Sequence, residues 1–360
     1  MNALRVLAAA AVVISFAPFA VFAEAPLGDA NMAKANRAAA RVVKERMKAE
    51  RPDDVKILQT VDKADIIVVR GQYDRVEDVL TTLKIAHVVV SPGEVAGLTL
   101  NAKQLLIVNC PGNIGPPGIE KIRKFVNAGG FLYTTDWALT NVVVKGFPGF
   151  IAYNNTPTEN DVVEVEARAQ DNNLLKHLTL SKENPKWWLE ASSYAVRVLD
   201  AEKVDVLISS REMLKKYGEA AIAVLFPYGD GKVLHIVSHF YLQQNQTRTV
   251  AEKKSGKKFI AENSTLSAAA KAAISKSTDF SDDTVAGDMS SAYSSQQMTT
   301  NLVIERKKDQ GRVEGLYGKS YQPSTTAAPR KVKVLEQKGS DTKVRTMDGE
   351  EQWVPTATVK

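Results

Sequence analysis

Cysteine is almost missing: Cys110 is the only one in 360 residues. That excludes an intramolecular disulfide framework and any multi-cysteine zinc or iron–sulfur centre. Histidine is nearly as scarce, with four residues in all, which leaves little material for a histidine-built metal site. No cofactor is expected. Neither an H-E-x-x-H nor a G-x-S-x-G signature occurs. Gly112, Gly115 and Gly118 are spaced G-x-x-G-x-x-G among prolines, which is not a nucleotide-binding fingerprint. Beyond Phe22 no apolar run has membrane length, which argues against an integral membrane enzyme. What is present, 44% hydrophobic and 24% charged residues, is the composition of a globular chain with room for two or three domains.

The first 23 residues have the layout of a secretory signal: a basic residue at Arg5, an apolar stretch from Val6 to Phe22 broken by Pro18, and the Val21-Phe22-Ala23 step before Glu24. The expectation is a bacterial exported protein, periplasmic or extracellular, that starts near Glu24 and keeps no transmembrane segment after cleavage. No cysteine follows the cleavage step, so no lipid anchor is expected there. Charge is distributed unevenly. Residues 24–240 carry 27 basic and 27 acidic side chains, whereas residues 301–360 carry 12 and 8, so the excess of positive charge lies at the C-terminus. A basic exported tail suits an anionic wall polymer or phospholipid surface, or is simply solvated; nucleic acid is not an expected partner.

Asn31 to Ala49 has the alanine, arginine and lysine density of a leading helix, placed in a 24–52 segment that Arg51-Pro52-Asp53-Asp54 ends. A regular alternation follows. Strands are predicted at Ile66–Arg70, His87–Val90, Leu105–Asn109 and Phe131–Thr135, and helices at Val76–Leu83 and Gly118–Ala128. The strands are short continuous apolar runs, the pattern of strands covered on both faces, so a parallel, helix-covered sheet is expected. Residues 146–200 are less regular, with strands predicted at Asp161–Arg168 and near Ala195–Leu199, and are read as decoration of the sheet. The sheet resumes with Val204–Ser209, Ala221–Phe226 and Val233–Ser238, the last two joined by the Tyr228-Gly229-Asp230-Gly231 turn. Residues 247–288, rich in Ser, Thr, Ala and Lys, are read as a mobile insertion, and Met289–Lys307 as a helix that returns to the sheet.

Residues 308–329 are read as a linker. Residues 330–360 then form short strands split by Lys338-Gly339-Ser340 and Asp348-Gly349 turns, a small all-β barrel-like module. Its ending, Lys343–Thr346, Asp348-Gly349 and Trp353-Val354-Pro355, is similar to bacterial Src-homology-3-like domains. That resemblance implies a cell-wall or protein ligand, against the alternative of a stabilising appendage. Thirty residues are few for such a barrel, so a strand borrowed from Arg312–Tyr321 is one way to complete it.

In an open α/β sheet, ligands collect beyond the carboxyl ends of the strands. Here those ends read Arg70-Gly71-Gln72-Tyr73, Asn109-Cys110-Pro111-Gly112-Asn113, Thr134-Thr135-Asp136-Trp137 and Ser238-His239-Phe240-Tyr241. The strand ending in Pro-Gly, the helix closed by Ala128-Gly129-Gly130, the sharp turn at Thr135–Leu139 and the late strand ending in histidine make residues 53–307 resemble the class I glutamine amidotransferase-like superfamily. The resemblance implies a flavodoxin-like three-layer sandwich with a mostly parallel sheet. It also implies a nucleophilic cysteine at the sharp turn, where this chain has Asp136. The histidine of that family matches His239, and its acidic partner falls on Tyr241. With two of three triad positions altered, amidotransferase activity is not expected.

Asp136 is read as an N-cap of the helix that carries Trp137, Ala138 and Leu139, a role compatible with contacting a ligand. Cys110 is placed on the pocket wall rather than at the nucleophile position, as a small hydrophobe. His239 is either a satisfied core histidine or a pocket residue, with His235 earlier on the same strand. Trp187-Trp188-Leu189-Glu190 is read as core plus rim, or as a floor for a sugar or peptide. The candidate ligand contacts are therefore Tyr73, Cys110, Gly112, Asp136, Trp137, Glu190 and His239. Together they lead to a catalytically degenerate binding or scaffold protein whose partner is a small polar ligand or another protein, with cell-wall contact through residues 330–360. The alternative is a hydrolase that uses Asp136 and His239, with or without a divalent cation.

Overall fold

The computed structural model describes residues 30–169, 171–238, 250, 253–277, 285–324 and 327–360. The signal-like segment, His239 and Tyr241 lie outside the described residues. In chain order the elements are α1 (Ala30–Glu50), α2 (Pro52–Gln59), β1 (Ile66–Val69), α3 (Val76–Thr82), β2 (Val88–Val90), β3 (Leu105–Val108), α4 (Pro116–Asn127), β4 (Phe131–Thr135) and the short α5 (Val144–Gly146). Next come β5 (Ile151–Pro157), β6 (Asp161–Glu164), β7 (Glu166–Ala167), β8 (Lys186–Leu189), β9 (Tyr194–Val198), β10 (Asp205–Ser209), α6 (Arg211–Tyr217), β11 (Ala221–Tyr228) and β12 (Gly231–Ile236). The chain ends with α7 (Gly256–Glu262), α8 (Ala268–Ser275), α9 (Ala286–Leu316), β13 (Lys319–Tyr321), β14 (Arg330–Lys338), β15 (Asp341–Thr346) and β16 (Glu351–Pro355).

The central sheet runs β2-β1-β3-β4-β12-β11-β10-β7. Its first five strands are parallel. Numbered among themselves they lie in the order 2-1-3-4-5, the flavodoxin-like arrangement. Every residue of β1, β3 and β4 is buried, which is why their sequences are unbroken apolar runs rather than alternations. Helices cover both sides, α4 packing with α5 and α3 with α1 and α9. Pro116 and Pro117 open α4, and its last carbonyls are closed by the turn at Ala128-Gly129-Gly130.

Several sequence expectations are corrected. Pro52 does not only stop α1; it occupies the first turn of a second helix, where its missing N–H costs nothing. Residues 146–200 extend the sheet rather than decorate it: β9 pairs antiparallel with β11 and β5, and β7 with β10, while β6 and β8 form a separate ribbon. The predicted strand Asp161–Arg168 is thus split between two sheets. Within 247–288, read as mobile, Ser255 and Ser267 cap two packed helices through their hydroxyls. Phe259, Ile260, Leu266, Ala270 and Ile274 bury against α1 and α9. Each helix is too short for a sustained apolar period to show.

The 308–329 linker is also shorter than expected. Helix α9 continues to Leu316, because Val313 and the following Tyr317 bury against Ala102 and Ala128, and the Tyr317 hydroxyl donates to the Ala128 carbonyl at 2.7 Å. The chain then enters β13 directly. Strands β13 to β16 form a meander, and the chain end returns to β13 through paired hydrogen bonds between Ser320 and Lys360, both 2.9 Å. Val332, Val344 and Val354 fill its centre. The module rests on the edge where the parallel strands begin. Met347 O accepts from Ala102 N at 2.7 Å, Asp230 pairs with Lys333 at 2.6 Å and Arg345 at 3.3 Å, and Lys124 pairs with Glu350 at 2.8 Å.

The layer between α1, α9 and the 174–180 segment is unusually polar for an interior. Arg46 donates to the Tyr293 hydroxyl at 2.8 Å and the Thr179 carbonyl at 3.1 Å. Arg51 reaches Asn301 at 2.6 Å, and the Asn301 amide in turn donates to the Leu174 and Lys176 carbonyls. Among the described residues no helix is long and apolar enough to cross a membrane.

Candidate functional site

The site is built where β4 stops. Asp136, the residue after β4, has φ +44°, a left-handed conformation that costs an ordinary residue about 1 kcal/mol or more and that aspartate tolerates better than most. Its backbone N–H extends the ladder to Ile236 O at 2.9 Å, and its carbonyl receives Leu139 N at 2.8 Å. The chain therefore leaves a strand and enters a helical turn within one residue. Of six non-glycine residues with positive φ among the described residues, three surround this point: Asp136, Ser192 and Ser238. Strain of that kind persists only where neighbouring contacts over-determine the backbone.

Those contacts come from the segment that leads into β9. The Asp136 carboxylate accepts the Tyr194 N–H at 3.0 Å on one oxygen and the Ser193 hydroxyl at 3.1 Å on the other. The Cys110 thiol lies 3.8 Å from that second oxygen, placed to donate. Asp136 is only 3% exposed. The expected N-cap role is corrected: its side chain turns across to residues 193–194, and the helical turn beyond Ala138 has no side-chain cap. Burial, and after it the neighbouring Asp136 carboxylate, pushes the Tyr194 hydroxyl above its ordinary range.

Cys110 closes β3 and is buried at 1% exposure. Its N–H donates to Thr135 Oγ1 at 3.1 Å, and its carbonyl accepts from Gln72 N at 2.9 Å and Tyr73 N at 3.3 Å. Thr135 in turn donates to the buried Asp74 carboxylate. Only glycine fits at position 71, since a Cβ there would stand 2.3 Å from Cys110 O and 2.8 Å from Asp74 Oδ1. Gly112, with φ +70°, lets the next turn lie directly on Ala138. These two carboxylates, one threonine and one thiol form a tight layer at the strand end, with the thiol within reach of the Asp136 carboxylate.

Above that layer lies a row of rings. Tyr73, 51% exposed, meets Trp137 edge-on with centroids 5.2 Å apart. Trp137 stacks on Tyr194 at 5.7 Å, and Tyr194 on Tyr153 at 4.1 Å. The indole N–H donates to Ser192 O at 2.7 Å, which fixes the plane of Trp137. Glu190 reaches the same neighbourhood through its backbone, its N–H donating to the buried Ser238 hydroxyl at 2.9 Å and its carbonyl accepting from Thr158 at 2.6 Å. Trp187 is core, while Trp188 is half-buried and bonded to Asn160.

The structure thus brings Tyr73, Cys110, Gly112, Asp136 and Trp137 together and places Glu190 at their margin, while His239 lies outside the described residues. Sequence reasoning missed Asp74, Ser193, Tyr194 and Tyr153. Asp74 had a signal, a carboxylate in the loop after a strand end; the other three lie in the segment read as decoration. His235, fully buried on β12, shares a 2.9 Å hydrogen bond through Nδ1 with Thr134 Oγ1, and burial pushes it down to about 3, so it is neutral. Among the described residues no group of three or more His, Cys, Asp or Glu side chains is placed to hold a metal.

No protein-family model matches the chain, and no curated protein matches it. Solved structures overlap it in part. A β-galactosidase from Rahnella sp. R3 is 14% identical with a TM-score of 0.36, over 49% of this chain and 29% of the enzyme, so the chain spans less than a third of that protein. A protein described as ThuA-like from Bacteroides uniformis is 11% identical with a TM-score of 0.35, over 49% of this chain and 82% of that one. A protein described as a GMP synthase subunit, from Thermoplasma acidophilum, is 13% identical with a TM-score of 0.34, over 49% and 82%. None of these overlaps assigns a reaction or a ligand.

Proposed function

We propose that this is an exported binding protein built on a catalytically degenerate glutamine amidotransferase-like domain, holding a small polar ligand or a protein partner at the ring-lined crevice. One observation carries the reading: the strand-to-helix elbow, where the superfamily places its nucleophile, holds a buried carboxylate with both oxygens engaged by Tyr194 N and Ser193 Oγ. An aspartate does not perform the thiolate chemistry of glutamine hydrolysis, and Cys110 lies at the end of β3 rather than at the elbow.

What the crevice offers instead is recognition. Trp137, Tyr194 and Tyr153 stack on one another and hold the exposed Tyr73 ring at the end of the row, a surface suited to a sugar ring or a peptide side chain. In this reading the small C-terminal module, Src-homology-3-like in its sequence, supplies a second contact with the cell envelope.

The test is a thermal-shift and tryptophan-fluorescence screen against sugars, amino acids and wall fragments, run beside a glutaminase assay. A ligand bound by the native state alone raises the melting temperature by mass action. The expected result is a ligand whose shift disappears in Trp137→Ala and Tyr73→Ala, with no glutamine turnover. Turnover of glutamine by the purified protein overturns the proposal.

A further inference from the structure

The outer strands of the central sheet are finished differently. At one side β7 is only Glu166–Ala167, and Glu166 is bracketed by Arg211 at 3.2 Å and Arg168 at 3.8 Å. A short strand lined with charge is one way a sheet refuses a further strand. At the other side β2 pairs, among the described residues, with β1 alone, and it lies in a stretch, residues 85–93 (IAHVVVSPG), without Asp, Glu, Lys or Arg. Val88 in the middle of that stretch is 39% exposed.

The outer edge of β2 is closed at both ends and open between them. Val90 O accepts from Arg70 N at 2.9 Å, so Val90 and Val88 turn their polar backbone toward β1, and strand alternation turns that of Val89 and His87 away from it. On one side of these two residues, Ile85 N–H donates to Leu80 O at 2.9 Å and Ile85 O accepts from His87 Nδ1 at 2.9 Å. On the other, Ser91 N–H donates to the Glu94 carboxylate at 2.6 Å and Ser91 O accepts from Glu94 N at 3.1 Å. What stays open among the described residues is the N–H and C=O of His87 and of Val89.

We infer that this edge is a self-association surface, taking the same strand of a second copy of the chain antiparallel across a two-fold axis at Val88. In that register His87 stands opposite Val89 of the second copy and Val89 opposite its His87, each pair exchanging both N–H···O bonds, so that no open group is left over. The closed ends select the occupant. A longer extended peptide would press its own flanking N–H and C=O groups against Ile85 and Ser91, whose groups are already taken, and leave them unsatisfied. A second copy closes its strand at the same two places. Val88 falls on the axis and covers its symmetry mate, apolar on apolar. Charge agrees: Lys84 and Glu94 bound the uncharged run, and the antiparallel arrangement brings Lys84 of each copy to the end that Glu94 closes in the other. Arg70 offsets part of the Glu94 charge, so the hydrogen-bond match is the main term.

The test is sedimentation velocity of the protein from about 1 to about 200 μM. So small a contact predicts reversible association with a dissociation constant on the order of 10–100 μM, and no species above dimer, since a two-fold contact closes on itself. Val88→Lys sets like charges together on the axis, and Val89→Pro deletes an outward N–H that takes no part in the β1 ladder; each should raise the dissociation constant at least about ten-fold. Leu214→Lys, at a leucine 51% exposed on α6, should leave it within about two-fold. Cys110 is buried, so Val88→Cys adds the one accessible thiol among the described residues. Its Cα atoms would lie about 4.5 Å apart across the axis, within disulfide reach, so mild oxidation should give a covalent dimer that Leu214→Cys does not. Matching circular dichroism melts show that the variants fold. A monomer at every concentration, a dimer indifferent to Val88→Lys and Val89→Pro, growth beyond dimer, or no cross-link through Val88→Cys would each overturn the inference.

Discussion

The two ends of β4 each bury ionisable side chains, and they do so in opposite ways. At its carboxyl end the Asp136 carboxyl group accepts from the Tyr194 N–H and the Ser193 hydroxyl, with the Cys110 thiol beside it. At its amino end Arg306 of α9 is a cation, 3% exposed, surrounded by carbonyls. It donates to Lys103 O and Gly129 O, both at 3.0 Å, and to Ala102 O, with Asp309 at 3.2 Å. Burial pulls the guanidinium down to about 10, still charged at neutral pH. One end is roofed by aromatic rings and left facing solvent; the other is sealed by a helix and by the C-terminal module. The difference teaches which end is scaffold. A buried cation satisfied by three loop carbonyls ties β3, β4 and α9 together, whereas Asp136 lies beside a row of half-buried rings that ends in the exposed Tyr73.

Breaking the amino end should cost most. Arg306→Ala leaves three carbonyls without their donor and should lower unfolding free energy by about 3–5 kcal/mol in urea titration. A loss below about 1 kcal/mol would show that water replaces the guanidinium freely. Breaking the carboxyl end should cost less. Asp136→Ala orphans Tyr194 N and Ser193 Oγ and should destabilise by about 2–3 kcal/mol, while Asp136→Asn, which keeps an acceptor for Tyr194, should stay within about 1 kcal/mol of wild type.

His235 sharpens the contrast, because near the crevice end the structure also buries a base in its uncharged form. With a folded value of about 3 against an ordinary 6.5, the unfolded chain takes up the proton first. Stability is therefore unaffected above pH 6.5 and falls as pH drops from 6.5 toward 3, by about 2 kcal/mol at pH 5. His235→Leu should flatten the pH dependence of urea unfolding by about one proton in that window. The smallest effect is expected at the rim of the amino end. Asp230→Ala removes partners of Lys333 and Arg345 and should cost no more than about 1 kcal/mol, an amount that shrinks further in high salt.

The same contrast separates what the sequence could disclose from what it could not. Ile66–Val69, Leu105–Val108 and Phe131–Thr135 were legible because strands buried on both faces must be apolar throughout. Strand β5 was not, because it carries partly exposed residues and pairs antiparallel at an irregular edge. The elbow at Asp136 was visible as a strand end; the function of its carboxylate was not, since both bonded partners lie 57 and 58 residues further along the chain. The α1–α9 interior escaped for a related reason. Its polar residues look like a solvated face until Arg46 meets Tyr293 and Arg51 meets Asn301, separations of 247 and 250 residues.

The pairing of α1 with α9 also orders events in time. At roughly 5–20 residues per second, the ribosome delivers the partner of α1 on the order of ten seconds or more after α1 itself. Through that interval the parallel strands can assemble in sequence, but the inward side of α1 and the buried arginines Arg46 and Arg51 have no permanent place. Among the described residues the last α-helix in the chain packs on the first, so these contacts form only after most of the chain has been made.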